Sequence, residues 1–128
     1  PCSAPFGPEF EIQDEIYMYR NWHPENVHVL LSLDYSRSKI DNEVNVQNGY
    51  HVPVCWVREW GQGRVYVNNL GHNETSWTNK AYLDSITNAV KWIRGQIEAN
   101  AIPNPDVSAA QEQKARQDAA DHGFKIKQ

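Results

Sequence analysis

Residues 53–77 constrain this 128-residue chain more than any other stretch: Pro53-Val-Cys-Trp-Val-Arg-Glu-Trp-Gly-Gln-Gly-Arg-Val-Tyr-Val-Asn-Asn-Leu-Gly-His-Asn-Glu-Thr-Ser-Trp77. Two apolar segments flank a Gly61-Gln-Gly63 turn, the pattern of a β-hairpin. Val54, Cys55, Trp56 and Val57 form an unbroken apolar run, so their strand should be covered on both faces and lie inside a sheet. The second strand runs out at Leu70-Gly71-His72, and Gly71 lets the chain turn sharply there. An imidazole is thereby expected at a strand end, where α/β folds keep their chemistry.

Within this segment Pro53, Val54, Trp56, Arg58, Gly61, Gly63, Arg64, Val65, Leu70, Gly71, His72 and Trp77 match a P-V-x-W-x-R-x-x-G-x-G-R-V-x-x-x-x-L-G-H pattern followed by a tryptophan. Upstream, Phe10, Asp14, Glu15, Ile16 and Tyr17 match F-x-x-x-D-E-I-Y, and residues 27–34 read as the strand that follows it. On these two blocks, in this order across residues 8–95, the chain resembles the ThuA-like (trehalose utilisation) family. The resemblance implies an α/β, flavodoxin-like, class I glutamine amidotransferase-like three-layer fold, of which this chain is expected to be the C-terminal half. It also divides the chain into a ThuA-like portion, residues 1–95, and a Pro-containing linker with a polar C-terminal helix, residues 96–128. Where the first half's strands would have paired, an open sheet edge predicts self-association into a homo-oligomer.

Elsewhere the pattern is read locally. Residues 9–18 are expected to be a strand with Phe10, Ile12 and Ile16 facing inward, residues 21–26 a turn around Pro24, and residues 27–33 a second strand. The polar stretch 34–51 reads as a surface loop. From Thr78 the period changes to 3.6, predicting a helix over 79–94 with Tyr82, Leu83, Ile86, Ala89, Val90 and Ile93 as its apolar stripe and Gly95 as its stop. After residues 102–106 break the chain, Ser108 and Gln111 resemble a capping box opening a second helix that ends near Gly123 and buries little.

Composition narrows the function. A formal net charge of -4 with no basic cluster argues against a nucleic-acid partner, and no apolar run is long enough to span a membrane. Compartment stays open between cytoplasmic and, were a signal peptide present upstream, periplasmic or secreted. Cys2 and Cys55 form neither a metal knuckle nor a disulfide framework. Five tryptophans and six tyrosines either build the core or line a binding surface.

His72 is the leading site residue, because imidazole titrates near neutral pH and is the commonest metal ligand. In the group the chain resembles, the corresponding strand end carries His-x-Glu, kept here as His72-Asn-Glu74; the cysteine nucleophile that partners it belongs to the missing half, so amidotransferase activity is not expected. Asp14 and Glu15 are the other carboxylates, and as neighbours on a strand only one could face the site. Glu15 is preferred because it shares a face with Tyr17, an aromatic suited to a sugar ring. Arg64 is either an anion clamp or a structural pairing group, and Trp77 either stacks on a sugar or packs on the helix behind it. The expected catalytic set is therefore His72, Glu15 and Glu74, with Arg64, Trp77 and Tyr17 contacting a small-molecule sugar. His72 is also the one candidate ligand for a divalent metal such as zinc. Two readings stand: an enzyme of sugar utilisation acting on disaccharides or their 3-keto derivatives, and a non-catalytic carbohydrate-binding or scaffold module.

Overall fold

The computed structural model describes residues 1–39, 44–45, 49–124 and 126–127. A three-stranded antiparallel sheet forms its centre, built from β1 (His28–Ser32), β3 (Pro53–Trp60) and β4 (Gly63–Asn68) in the order β1-β3-β4. Two short strands, β2 (Val44–Asn45) and β5 (Ile126–Lys127), pair in parallel as a separate sheet. The α/β class holds, with an antiparallel ladder.

β3 is the middle strand, as its apolar run requires: Val54, Cys55 and Val57 are all buried, and Cys55 is wholly so. Its pairing with β4 runs from Cys55 opposite Asn68 to Trp60 opposite Gly63, closing the hairpin at Gly61, which takes a positive φ of 59°. Burial pushes the Cys55 thiol up to about 12, which keeps it protonated and inert at neutral pH.

α1 (Lys80–Ile93) packs across the sheet. Asn79 caps it, its Oδ1 accepting from the Tyr82 N–H at 3.2 Å. At the other end Gly95, at φ 68°, donates to the Trp92 carbonyl while Gln96 donates to that of Lys91, a Schellman closure. The buried line of α1 is Tyr82, Ser85, Ala89 and Trp92. The expected stripe is corrected here, because Leu83, Val90 and Ile93 are 40%, 50% and 45% exposed. Apolar residues cover a wide arc of this helix, and the sheet selects among them: Ser85 turns inward because its hydroxyl meets that of Tyr66 at 2.9 Å.

The expected strand over residues 9–18 is also corrected. That segment joins no ladder; it crosses the molecule as an extended arm, with Phe10, Ile12 and Ile16 packed against Phe6, Val54, Leu70 and Tyr82. An extended chain lying on a surface buries alternate residues just as a strand does, so the period of two arose without a pairing partner. Within the stretch 34–51, Tyr35 departs from the surface-loop expectation: it is 1% exposed, packed with Val52 and Ala115. Residues 40–43 and 46–48 of that stretch lie outside the described residues.

α2 (Pro105–His122) begins earlier than the Ser108 box predicted, with Asn104 at its N-cap and Pro105 in its first turn. It stops at Gly123 in the left-handed conformation. The helix buries little, as expected, yet it is docked along one narrow line. Ser108, Ala115 and Ala119 are buried. The Glu112 carboxylate accepts the backbone N–H groups of Tyr50 and His51 at 2.5 and 2.8 Å, and Lys114 reaches Asp34 at 2.9 Å. Small alanines let the helix approach closely, so polar flanking groups, rather than apolar bulk, complete the contact.

Candidate functional site

The loop after β4 is shaped by one carboxylate. Asp14, on the extended arm, accepts the backbone N–H of Gly71 at 2.6 Å and of Asn73 at 2.8 Å, and the Ser76 hydroxyl at 2.6 Å. Burial pushes this carboxyl up, but the hydrogen bonds from Ser76, Gly71, Asn73 and the Glu15 N–H outweigh it, and the net shift is downward. Ser76 is fully buried beneath the loop. Asn73 then starts the 3-10 turn Glu74–Thr78, its Oδ1 accepting from the N–H and hydroxyl of Thr75.

Gly71 is where the turn requires glycine. Its φ is 117°, and a Cβ there would fall on the hydroxyl of Tyr82, which donates to the Leu70 carbonyl at 3.1 Å. Tyr82 is 3% exposed and cannot swing away. Gly71→Ala should therefore cost about 2–3 kcal/mol from strain and displacement together, read as a lower melting temperature with the far-ultraviolet spectrum retained.

His72 projects from this loop with its side chain 60% exposed, and its Nε2 lies 3.6 Å from Oε2 of Glu15, an ion-pair distance. Asp14 and Glu15 thus both serve the same loop, from the inside and the outside. The two carboxylates point to opposite sides, as expected of neighbours in an extended chain, with Asp14 turned inward and Glu15 outward beside His72. Asp14, which sequence reasoning set aside in favour of Glu15, is the residue that builds this loop; the signal was present in the Asp14-Glu15 pair and in the run of loop N–H groups that needed an acceptor.

The remaining residues divide. Trp77 is 55% exposed; its indole N–H donates to the Gly71 carbonyl at 3.0 Å, and its ring stands edge-on to Tyr82. Tyr17 is exposed, on the arm whose backbone carbonyl at that residue accepts from the Asn69 side chain at 2.9 Å. Glu74 is exposed in the first turn of its 3-10 segment, and the carboxylate paired with His72 is Glu15. Arg64 is not brought to the site. It sits at the hairpin end of β4, donating to the Trp92 carbonyl at 2.7 Å and pairing with Glu98 at 3.1 Å. A guanidinium at the C-terminal end of α1 complements the helix dipole, so its placement is structural.

Among the described residues no group of three His, Cys, Asp or Glu converges that could hold a metal ion. His72 and Glu15 supply two donors, short of the three protein ligands of a zinc site. Of the other described histidines, His28 meets the Ile102 carbonyl, His51 the Ser32 hydroxyl, His23 Glu25 and His122 the Asp118 carbonyl. No helix among the described residues is long and apolar enough to cross a membrane.

A family model described as ThuA, trehalose utilisation, matches residues 1–93, from the N-terminal arm to the last turn of α1. The chain belongs to the ThuA family. Comparison with curated proteins and with solved structures finds no match. The ThuA match takes in Asp14, Glu15, Tyr17, His72, Glu74 and Trp77, while α2 lies beyond its end.

Proposed function

We propose that this ThuA-family chain acts in sugar utilisation through a site centred on His72, with Glu15 as its carboxylate partner and a disaccharide or its 3-keto derivative as ligand. The observation that carries this reading is the 3.6 Å approach of Glu15 to the His72 imidazole on a loop held rigid by Asp14. In this reading Glu15 lies close enough to pair with the imidazole when it carries a proton, and His72 exchanges that proton with a sugar hydroxyl, an acid-base role suited to imidazole. Exposed Trp77 and Tyr17 offer apolar ring faces for a pyranose, and Glu74 offers a further acceptor for hydroxyl groups. The finer fold assignment, a flavodoxin-like, glutamine amidotransferase-like domain, rests on the family membership together with the buried middle strand β3 and the helix packed across it.

The second reading, a carbohydrate-binding module without chemistry, is favoured by the exposure of both His72 and Glu15, since acid-base pairs work best sheltered from water. Calorimetric titration with trehalose and a 3-keto disaccharide separates the two from each other and from neither. Under the first reading, wild type binds and turns over the sugar, and His72→Ala abolishes turnover while shifting the melting temperature little, because an exposed loop histidine makes few core contacts. Binding without turnover leaves the module; no heat from a folded chain discards both.

A further inference from the structure

β1 is an outer strand, and the outward backbone groups at its start are nevertheless occupied. The Val29 N–H donates to Oδ1 of Asn104 at 2.7 Å, and Nδ2 of the same amide donates to the Val29 carbonyl at 3.0 Å. The Asn104 backbone N–H donates to the Val27 carbonyl at 3.1 Å, and His28 Nδ1 meets the Ile102 carbonyl at 2.6 Å. Val27 and Val29 point their backbone groups to the same side, away from β3, so one asparagine makes the bonds that a neighbouring strand would have made.

A second observation bears on Asn104 independently. It occupies the N-cap of α2, where asparagine is among the most favoured residues because its side chain normally accepts an N–H of the helix's first turn. Here it makes no such bond. Its amide is spent on β1 instead, and the cap is left to Pro105, which has no N–H to satisfy.

We propose that residues 102–104 are an edge guard: a strap, anchored by α2, that closes β1 against pairing with β1 of a second copy of this chain. Unpaired N–H and C=O groups on an outer strand form a template for strand addition, and the His28–Ser32 stretch opposed to itself in antiparallel register brings no like charges together. The anchoring is separate from the strap, because Ala115, Ala119, Glu112 and Lys114 hold α2 further along its length. The strap is therefore the part that a single substitution can open.

The test is Asn104→Ala in the full chain, followed by hydrogen exchange and by light scattering across a concentration series. Asn104→Asp serves as the second variant: it keeps an acceptor for the Val29 N–H and loses the donor to the Val29 carbonyl. Near-ultraviolet circular dichroism reports whether each variant keeps its tertiary packing. The expected result for Asn104→Ala is exchange of the Val29 amide about tenfold or more faster, with a mass that rises above that of one chain as concentration increases, while wild type does not change over the same range. Asn104→Asp should fall between them. A folded variant whose Val29 amide exchanges as in wild type, or exchanges fast without any rise in mass, would overturn the proposal. Should Asn104→Ala unfold, wild-type behaviour of Asn104→Asp in both readouts overturns it equally.

Discussion

Asp14→Ala should cost about 2–4 kcal/mol, from the loss of its three hydrogen bonds to the loop, made to a charged acceptor and discounted for its partial exposure, and should abolish the proposed sugar binding at His72. Gly71, Asn73 and Ser76 all donate to this carboxylate, and Ser76 is left buried without its acceptor when it goes. The loop that carries His72 then loses its inner anchor, while Glu15 loses the register that sets it beside the imidazole. Asp14→Asn is the sharper variant: shape is retained, but one of the two atoms that accept becomes a donor and faces an N–H or a hydroxyl. Chemical denaturation gives the energy, and titration with trehalose gives the binding. A stable Asp14→Asn protein that binds like wild type would show that the loop stands without this carboxylate.

The same residue makes the fold sensitive to acid, and the sign follows from its net downward shift. A carboxyl whose folded pKa lies below its unfolded value contributes stability above the unfolded value, near 3.9, and loses it as pH falls through the folded one. Asp34 is shifted the same way: burial raises it, and Ser36 and Lys114 more than offset that. Wild type should therefore weaken below about pH 4, and Asp14→Ala should lose less stability than wild type over that interval. Unfolding curves at neutral pH and in that acid range measure the difference.

Trp92→Ala should be the most destabilising single substitution, about 3–5 kcal/mol in the range of large buried aromatics. Trp92 is 1% exposed and joins Val57 of the sheet, Ala89 of its own helix and Cys2 of the N-terminal arm, with Leu30, Tyr66 and Ile97 around them. Trp92 already borders a partly open pocket of about 210 Å³ shared with His28, Leu30 and Asn100, so truncation would extend that pocket into the core. The guanidinium of Arg64, 5.3 Å above the ring, would lose its aromatic surface as well. Trp92→Phe keeps most of the apolar area and should cost less than half as much. A melting temperature for Trp92→Ala within a few degrees of wild type would mean that α1 is not held to the sheet through this ring.

Around the candidate site, the Gly71 turn that carries His72 was legible because its cause is local, whereas the choice between Glu15 and Glu74 as the nearby carboxylate, and between exposure and burial for Trp77, stayed open until the fold set them. Arg64 was legible only as a choice between clamp and structural pair, since a strand can present an arginine to a ligand or to a helix end with the same sequence. The part played by Asp14 was not legible for a related reason: the alternation of the arm says that one of two adjacent carboxylates turns inward, but the N–H groups and hydroxyl that the inward one accepts lie more than fifty residues away.

What the sequence by itself determined are the features whose causes lie within a few residues of their effects. They include the Gly61-Gln-Gly63 hairpin, the burial of β3 through its unbroken apolar run, and the start and stop of α1 at Asn79 and Gly95. The motif blocks that place the chain in the ThuA family are of the same local kind. The tertiary structure alone decided which arc of α1 is buried, that residues 9–18 lie unpaired, that Asp14 builds the His72 loop, and that α2 docks through small alanines while Asn104 closes the edge of β1. Each of those outcomes is set by a partner distant in sequence. Local periodicity states that a residue can be buried or a carboxylate can accept; the neighbour that buries it, or donates to it, is chosen only when the chain has folded.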